Sequence, residues 1–248
     1  MDAVDTLGGR PAVTVDTKIF KRPFYFLMSI LIASVVIYGF SLTIGSNLIH
    51  PSVPRPRILY LHAATFFAWV VLFVAQTALI QTRHARWHRR LGVTGLALGS
   101  IIPFIGIATS FSMAKFNILH GGRGADGAAA FLAIPFNDII AFSTAFALAI
   151  RWRKKPEFHR RLMLVASCCL TAAAFARFPF ITITEIRWYG GVDLLILLGV
   201  VHDLVVIRKV HAVYVYGVPL IVFGQVVAMT LFLQRTPAWM TITHRLVG

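Results

Sequence analysis

Acidic residues are scarce in this chain: nine Asp and Glu stand against 24 Lys and Arg, which leaves a formal net charge of +15. Charged residues of both signs make up only 13% of the sequence, whereas 58% is hydrophobic. Soluble globular domains carry about 25% charged residues, so this composition excludes that class. No nucleic-acid-binding motif accompanies the basic residues, and we therefore expect no nucleic-acid partner.

Cysteine is nearly absent as well. Cys168 and Cys169 are the only two, and adjacent residues on a helix point about 100° apart. This geometry makes a disulfide between them implausible. Two thiols are also too few for an iron–sulfur cluster or a zinc–thiolate site within one chain.

Long apolar runs, by contrast, recur along the whole sequence. Each is close to the length of about 20 residues that spans a bilayer as a helix. We predict an all-α, polytopic membrane protein with a polar cytoplasmic tail, 1–20, and a single membrane domain, 21–248. The seven predicted transmembrane helices cover 23–45, 58–81, 91–113, 128–150, 161–183, 191–207 and 212–233.

The basic residues are distributed unevenly between the two ends of these helices. Sixteen of the 24 lie on the side where the odd-numbered helices begin, which we call the basic side; seven lie on the opposite side, and Arg177 lies within the fifth helix. The positive-inside rule then predicts a bacterial inner-membrane protein with its N-terminus inside and its C-terminus outside. Anionic membrane lipids are the expected partners of the basic side.

The tetrapeptide His-Arg-Arg-Leu occurs twice on the basic side, beginning at His88 and at His159. Both histidines stand where a basic turn meets a predicted helix. Two neutral imidazoles at one depth on separate helices are the ligand set of a low-spin haem b, and Arg89 and Arg160 would then meet its anionic groups. A quinone is the alternative ligand of the same site.

Two further imidazoles lie on this side. His202 stands inside the end of the sixth helix, next to Asp203, and His211 begins the seventh. If they join His88 and His159, the group would form a metal site instead. The simplest alternative is an interfacial set of His-Arg pairs that binds lipid phosphates.

A second polar group is predicted deeper in the membrane. Asp138 in the fourth helix and Arg177 in the fifth lie at depths that an Arg side chain can bridge, which predicts an internal salt bridge. The same residues could instead line a polar pocket open to the opposite side, together with His62 and Asp193.

Four glycines in the third helix, at positions 92, 95, 99 and 106, permit close helix packing. They predict that this helix lies at the centre of the bundle, with His88 facing inward.

The segments 61–76, 87–92 and 159–164 carry a His early in a helix, a His-Arg-x-Leu-Gly turn and a His-x-x-x-Met helix start. With Arg177 near Pro179, this pattern resembles a set of uncharacterised bacterial multi-pass membrane proteins over residues 58–180. More distantly it is similar to the transmembrane cytochrome b and ferric-reductase group, which implies haem held by histidines of neighbouring helices. The two-haem version of that pattern is not matched, because only His62 lies near the opposite end of a helix.

Three functional hypotheses follow, and none assigns a catalytic residue. The leading one is a redox protein that holds haem b or a quinone near the cytoplasmic face. The second is a non-catalytic accessory or lipid-binding subunit whose partners are other subunits of a membrane complex. The third is a metal-dependent membrane hydrolase.

Overall fold

The fold is entirely helical wherever it is described. The computed structural model describes residues 23–121, 124–179 and 187–247, and this part of the chain contains no strand. Seven of its helices are long and apolar enough to cross a membrane, which confirms the predicted all-α class and the number of spans. The predicted tail, 1–20, lies outside the described residues.

The spanning helices are named in chain order. They are α1 Phe24–Ser41, α2 Arg57–Gln81, α3 Ala85–His120, α4 Gly124–Arg151, α5 Pro156–Phe175, α6 Arg187–Ile207 and α7 Ala212–Gln234. A π-helical turn, Gly45–Ile49, follows α1. A short amphipathic helix that the sequence analysis did not predict, α8 Pro237–Val247, follows α7 and packs on the start of α4.

Helix α3 is much longer than the apolar run that predicted it. It begins at Ala85 rather than near residue 91 and ends at His120 rather than near residue 113. Hydropathy marks only the part of a helix that lies in apolar surroundings, whereas polar residues at both ends continue the same backbone hydrogen bonding. His88 therefore lies in the first turn of α3.

Helices α4 and α5 are each interrupted. In α4 the break falls at Leu132, because Pro135 has no N–H to donate to the carbonyl of Phe131. In α5 it falls at Leu170 and Thr171, where the Thr171 hydroxyl donates to the Cys168 carbonyl at 2.7 Å. The predicted end of this helix, near residue 183, lies outside the described residues.

The centre of the bundle is α5, not α3. Within the most apolar window of each helix, 67% of the α5 residues are buried against 17% in α3, and α5 packs on α1, α4, α6 and α7. The α3 glycines do serve close packing, since a Cβ at Gly99 would strike the Phe146 ring and one at Gly106 would strike Ile139. The four glycines face only two neighbours, however, since Gly95 lies against Leu72 of α2 and Gly99 and Gly106 lie against α4, and many other α3 side chains are exposed.

Candidate functional site

The first turns of α3 and α5 bring two of the predicted imidazoles together. The ring centroids of His88 and His159 lie 6.4 Å apart, with the ring planes at 78°, and both residues are half-buried. The Nδ1 atom of His159 lies 3.0 Å from the carbonyl oxygen of Ala149, at the end of α4. Because a carbonyl only accepts, Nδ1 carries the ring proton and Nε2 presents a lone pair.

Gln76 of α2 holds His88 in the other tautomer, with the ring proton on Nε2 instead of Nδ1. In the amide orientation that satisfies all its neighbours, the Gln76 NH₂ donates to the His88 carbonyl at 3.2 Å and to His88 Nδ1 at 2.6 Å. The Gln76 oxygen then accepts from the Gly92 N–H at 3.0 Å. His88 Nδ1 is thus an acceptor, and the proton of this neutral ring is on Nε2.

The two arginines expected beside the pair have different surroundings. Arg160 forms an ion pair with Glu157, and its guanidinium lies 5.1 Å from the Tyr25 ring centroid. Arg89 is exposed and forms no ion pair with the described residues. Only Arg89 is therefore available to an anionic group without the loss of an existing contact.

Arg161, one position further along, is buried in a polar network. Its Nε donates to Asp203 Oδ2 at 2.8 Å and its Nη2 to Asp203 Oδ1 at 2.6 Å, which joins α5 to α6 by a bidentate pair. Its Nη1 donates to the Glu157 carboxylate at 2.7 Å and to the Glu157 carbonyl at 2.9 Å. The side chains of Arg161 and Asp203 are 0% and 1% exposed, so the charges compensate each other away from solvent.

The remaining two imidazoles do not join the pair. His202 is buried with its ring stacked on Phe24, at a centroid distance of 3.9 Å, since this face of α6 packs on the start of α1. His211 instead caps α7: its Nδ1 accepts from the Val213 N–H at 3.2 Å. Burial, followed by the nearby Arg161 charge, lowers the pKa of His211. Within the described residues no three His, Cys, Asp or Glu side chains are placed to hold a metal ion, so the predicted four-imidazole metal site is not assembled.

The polar residues deeper in the bundle also have partners that the sequence analysis did not predict. Asp138 Oδ1 accepts from the Tyr189 hydroxyl at 2.8 Å and from Asn137 Nδ2 at 3.4 Å. Asp193 Oδ1 accepts from Gln225 Nε2 at 2.9 Å, which links α6 to α7.

The structure does not bring Arg177 to Asp138. Arg177 Nε donates to the Thr43 hydroxyl at 3.0 Å, and its guanidinium lies 4.2 Å from the Phe40 ring centroid. Arg177 therefore connects the end of α5 to the end of α1. His62 lies on α2 and stacks on Phe66 at 4.0 Å, and it is not among the described side chains that donate to Asp138.

Two of the polar residues missed by the sequence analysis had a local signal. Glu157 and Arg161 are four positions apart, the spacing at which opposite charges meet on a helix. A chain with only nine acidic residues also leaves few partners for a buried cation. For Gln76, Tyr189 and Gln225 no such signal exists, since their roles depend on which helices become neighbours.

Comparison with known protein families, with curated proteins and with solved structures finds no match to this chain. A functional assignment therefore depends on the geometry of its own residues.

Proposed function

We propose that this chain is a multi-pass membrane redox protein that holds a haem b between His88 and His159 on its basic side. The observation that carries the proposal is the 6.4 Å separation of the two ring centroids. A metal–imidazole bond of about 2.0 Å on each side places the centroids of two facing rings roughly 6 Å apart. Two half-buried imidazoles from different helices thus have the separation that bis-His ligation requires.

His159 could bind haem iron in its present tautomer, whereas His88 could do so only after the Gln76 side-chain amide rotates. His159 presents its Nε2 lone pair, because its Nδ1–H donates to the Ala149 carbonyl, the arrangement usual for metal-binding histidines. His88 presents a lone pair at Nε2 only if its proton moves to Nδ1. The Gln76 amide must then rotate so that its oxygen accepts from Nδ1.

The chain's remaining contributions are orientation and charge. Arg89 is free to donate to a carboxylate at the membrane boundary, where charge-assisted hydrogen bonds are strong. Haem supplies one-electron chemistry when bound. The uneven distribution of lysine and arginine supports placing this site at the cytoplasmic face of a bacterial inner membrane.

The reduced-minus-oxidised visible spectrum tests the proposal. Purified chain supplied with haem should give a b-type band, and His88→Ala and His159→Ala should each abolish it. His202→Ala and His211→Ala are matched controls that should retain the band, because neither ring faces the pair. The proposal fails if folded wild-type protein binds no haem, or if the band survives in both His88→Ala and His159→Ala.

The tautomers favour a quinol or quinone headgroup as a second candidate ligand. As the hydrogen bonds stand, His88 offers an Nε2–H donor and His159 an Nε2 acceptor. A quinone carbonyl oxygen requires a donor such as the His88 Nε2–H, and a quinol hydroxyl requires an acceptor such as His159 Nε2. Binding of a short-chain quinone to haem-free protein, lost in the same two alanine variants, would favour this ligand over haem.

A further inference from the structure

Asp138 is a carboxyl group in the middle of a membrane span, and it has no cationic partner among the described residues. It lies roughly midway between Gly124 and Arg151, the ends of α4. No Lys, Arg or His of the described residues forms an ion pair with it. A charged carboxylate at this depth is costly, and such residues normally pair or serve a function. Asp203, in contrast, has Arg161 to compensate its charge.

The hydrogen bonds to Asp138 distinguish its two oxygens. Tyr189 and Asn137 both donate to Oδ1, at 2.8 Å and 3.4 Å, and no other side chain in the described part of the chain donates to Oδ2. Asn137 is held in turn, since its Nδ2 also reaches the Tyr189 oxygen at 3.2 Å. This asymmetry matches a neutral acid, in which Oδ1 is the carbonyl oxygen and Oδ2 carries the proton.

A small cavity adjoins this carboxyl group. It has room for about one water molecule and is lined by Asp138, Asn137, Tyr189 and Gln225, among others. Among the described residues, the other titratable groups that line it are Tyr189 from α6 and Cys169 from α5, and Asp193 of α6 is bonded to the lining residue Gln225. From α7 it receives the uncharged amide of Gln225 and the apolar side chain of Ile221. The described residues that line the cavity thus supply hydrogen bonds but no positive charge.

We infer that Asp138 is a proton-binding site in the membrane interior. Its Oδ2 carries a proton at neutral pH and exchanges it with water in the adjoining cavity. This inference is independent of the proposed haem site, which lies at the basic ends of α3 and α5 and uses none of these residues.

Infrared spectroscopy of the full chain in detergent or lipid tests the inference directly. At neutral pH the wild type should show the C=O stretch of a protonated carboxyl group, and that band should shift in D₂O because the proton exchanges. Asp138→Asn should remove the corresponding component. Asp126→Asn is the matched control, since Asp126 is exposed next to His244 and its loss should leave the band unchanged.

A second variant covers the case in which Asp138→Asn does not fold. Tyr189→Phe keeps the carboxyl group and removes one donor to Oδ1, so the C=O band should persist and move to higher frequency. The inference is overturned if the wild type lacks the band, if the band does not shift in D₂O, or if it is unchanged in folded Asp138→Asn. His88→Ala should keep the band, which separates this result from the haem proposal.

Discussion

Arg161 of α5 and Asp203 of α6 form a bidentate ion pair that is closed off from solvent, with N–O distances of 2.8 Å and 2.6 Å. Arg161 is also bonded to Glu157 one turn earlier in its own helix. The neighbouring Arg160 also reaches Glu157, but its side chain is 38% exposed. Two adjacent arginines of one motif thus have different roles, because consecutive positions on a helix face about 100° apart.

We expect Arg161→Met to lower the free energy of unfolding by about 3–5 kcal/mol, because it deprives the buried Asp203 carboxylate of its arginine partner. The double variant Arg161→Met/Asp203→Leu should regain most of that loss, since apolar replacement of both partners removes the unpaired charge. Denaturant unfolding in a fixed detergent measures both. Arg160→Met is the control and should cost no more than about 1 kcal/mol. Equal losses in Arg160→Met and Arg161→Met would contradict the burial of the pair.

Gln76 is expected to orient His88 for its ligand. In the proposed haem-bound state the rotated Gln76 oxygen would accept from His88 Nδ1–H; Gln76→Leu removes that acceptor, and loss of such an outer contact typically weakens metal binding by about 10–100-fold. A haem titration followed at the Soret band measures the change. Gln81→Leu is the matched control, because Gln81 lies on the same helix but is exposed at its end. An unchanged haem affinity in Gln76→Leu would show that Gln76 does not orient His88 for haem binding.

Gly39 marks a close approach of α1 to the backbone of the central helix, α5. A Cβ at this position would lie 2.5 Å from the Ala174 carbonyl oxygen, and backbone cannot move aside as a side chain can. Gly39→Ala should therefore destabilise the bundle by about 1–3 kcal/mol. Gly217→Ala is the matched control within α7, where nothing lies within 4 Å of the new methyl group. That variant should be neutral or stabilising by up to about 1 kcal/mol, through helix propensity. Thermal unfolding of the two variants side by side compares them.

The helices and the meeting of His88 with His159 were predictable because both depend on position along the membrane normal. Hydropathy locates each span, and the repeated motif places both imidazoles at equal depth. Depth alone does not determine the direction in which a residue faces around the helix axis. Asp138 and Arg177 have compatible depths, yet Arg177 contacts Thr43 and Phe40 while Asp138 contacts Tyr189.

The same reasoning explains why the prediction that α3 lies at the centre of the bundle was wrong. Glycines at helical spacing show that α3 approaches its neighbours closely, but they carry no information on how many neighbours a helix has. α5 is central because its small residues, among them Ala166, Cys168 and Cys169, are buried against several helices at once. Which helix meets several neighbours depends on the packing of the whole bundle.

His211 makes the stability of the bundle dependent on pH in a defined direction. Its Nδ1 caps α7 by accepting from the Val213 N–H, which a protonated ring cannot do. Burial lowers the pKa of His211 in the folded chain, with the Arg161 charge adding to the effect. In the unfolded chain the pKa is about 6.5, so below that pH the unfolded state binds more protons and stability falls as pH falls.

His211→Asn tests this dependence. Asn is a good helix cap but does not titrate. It should therefore keep the capping bond and remove the share of the pH dependence of the unfolding free energy that His211 contributes. That share is at most about 1.4 kcal/mol per pH unit for one proton. The measurement is the free energy of unfolding of wild type and variant at several pH values between about 5 and 8, compared as a difference so that the other histidines cancel. His211→Ala should lose about 0.5–2 kcal/mol at the alkaline end, where the wild-type cap is intact. A wild-type-minus-Asn difference that does not change with pH would show that the His211 cap is not the titrating group.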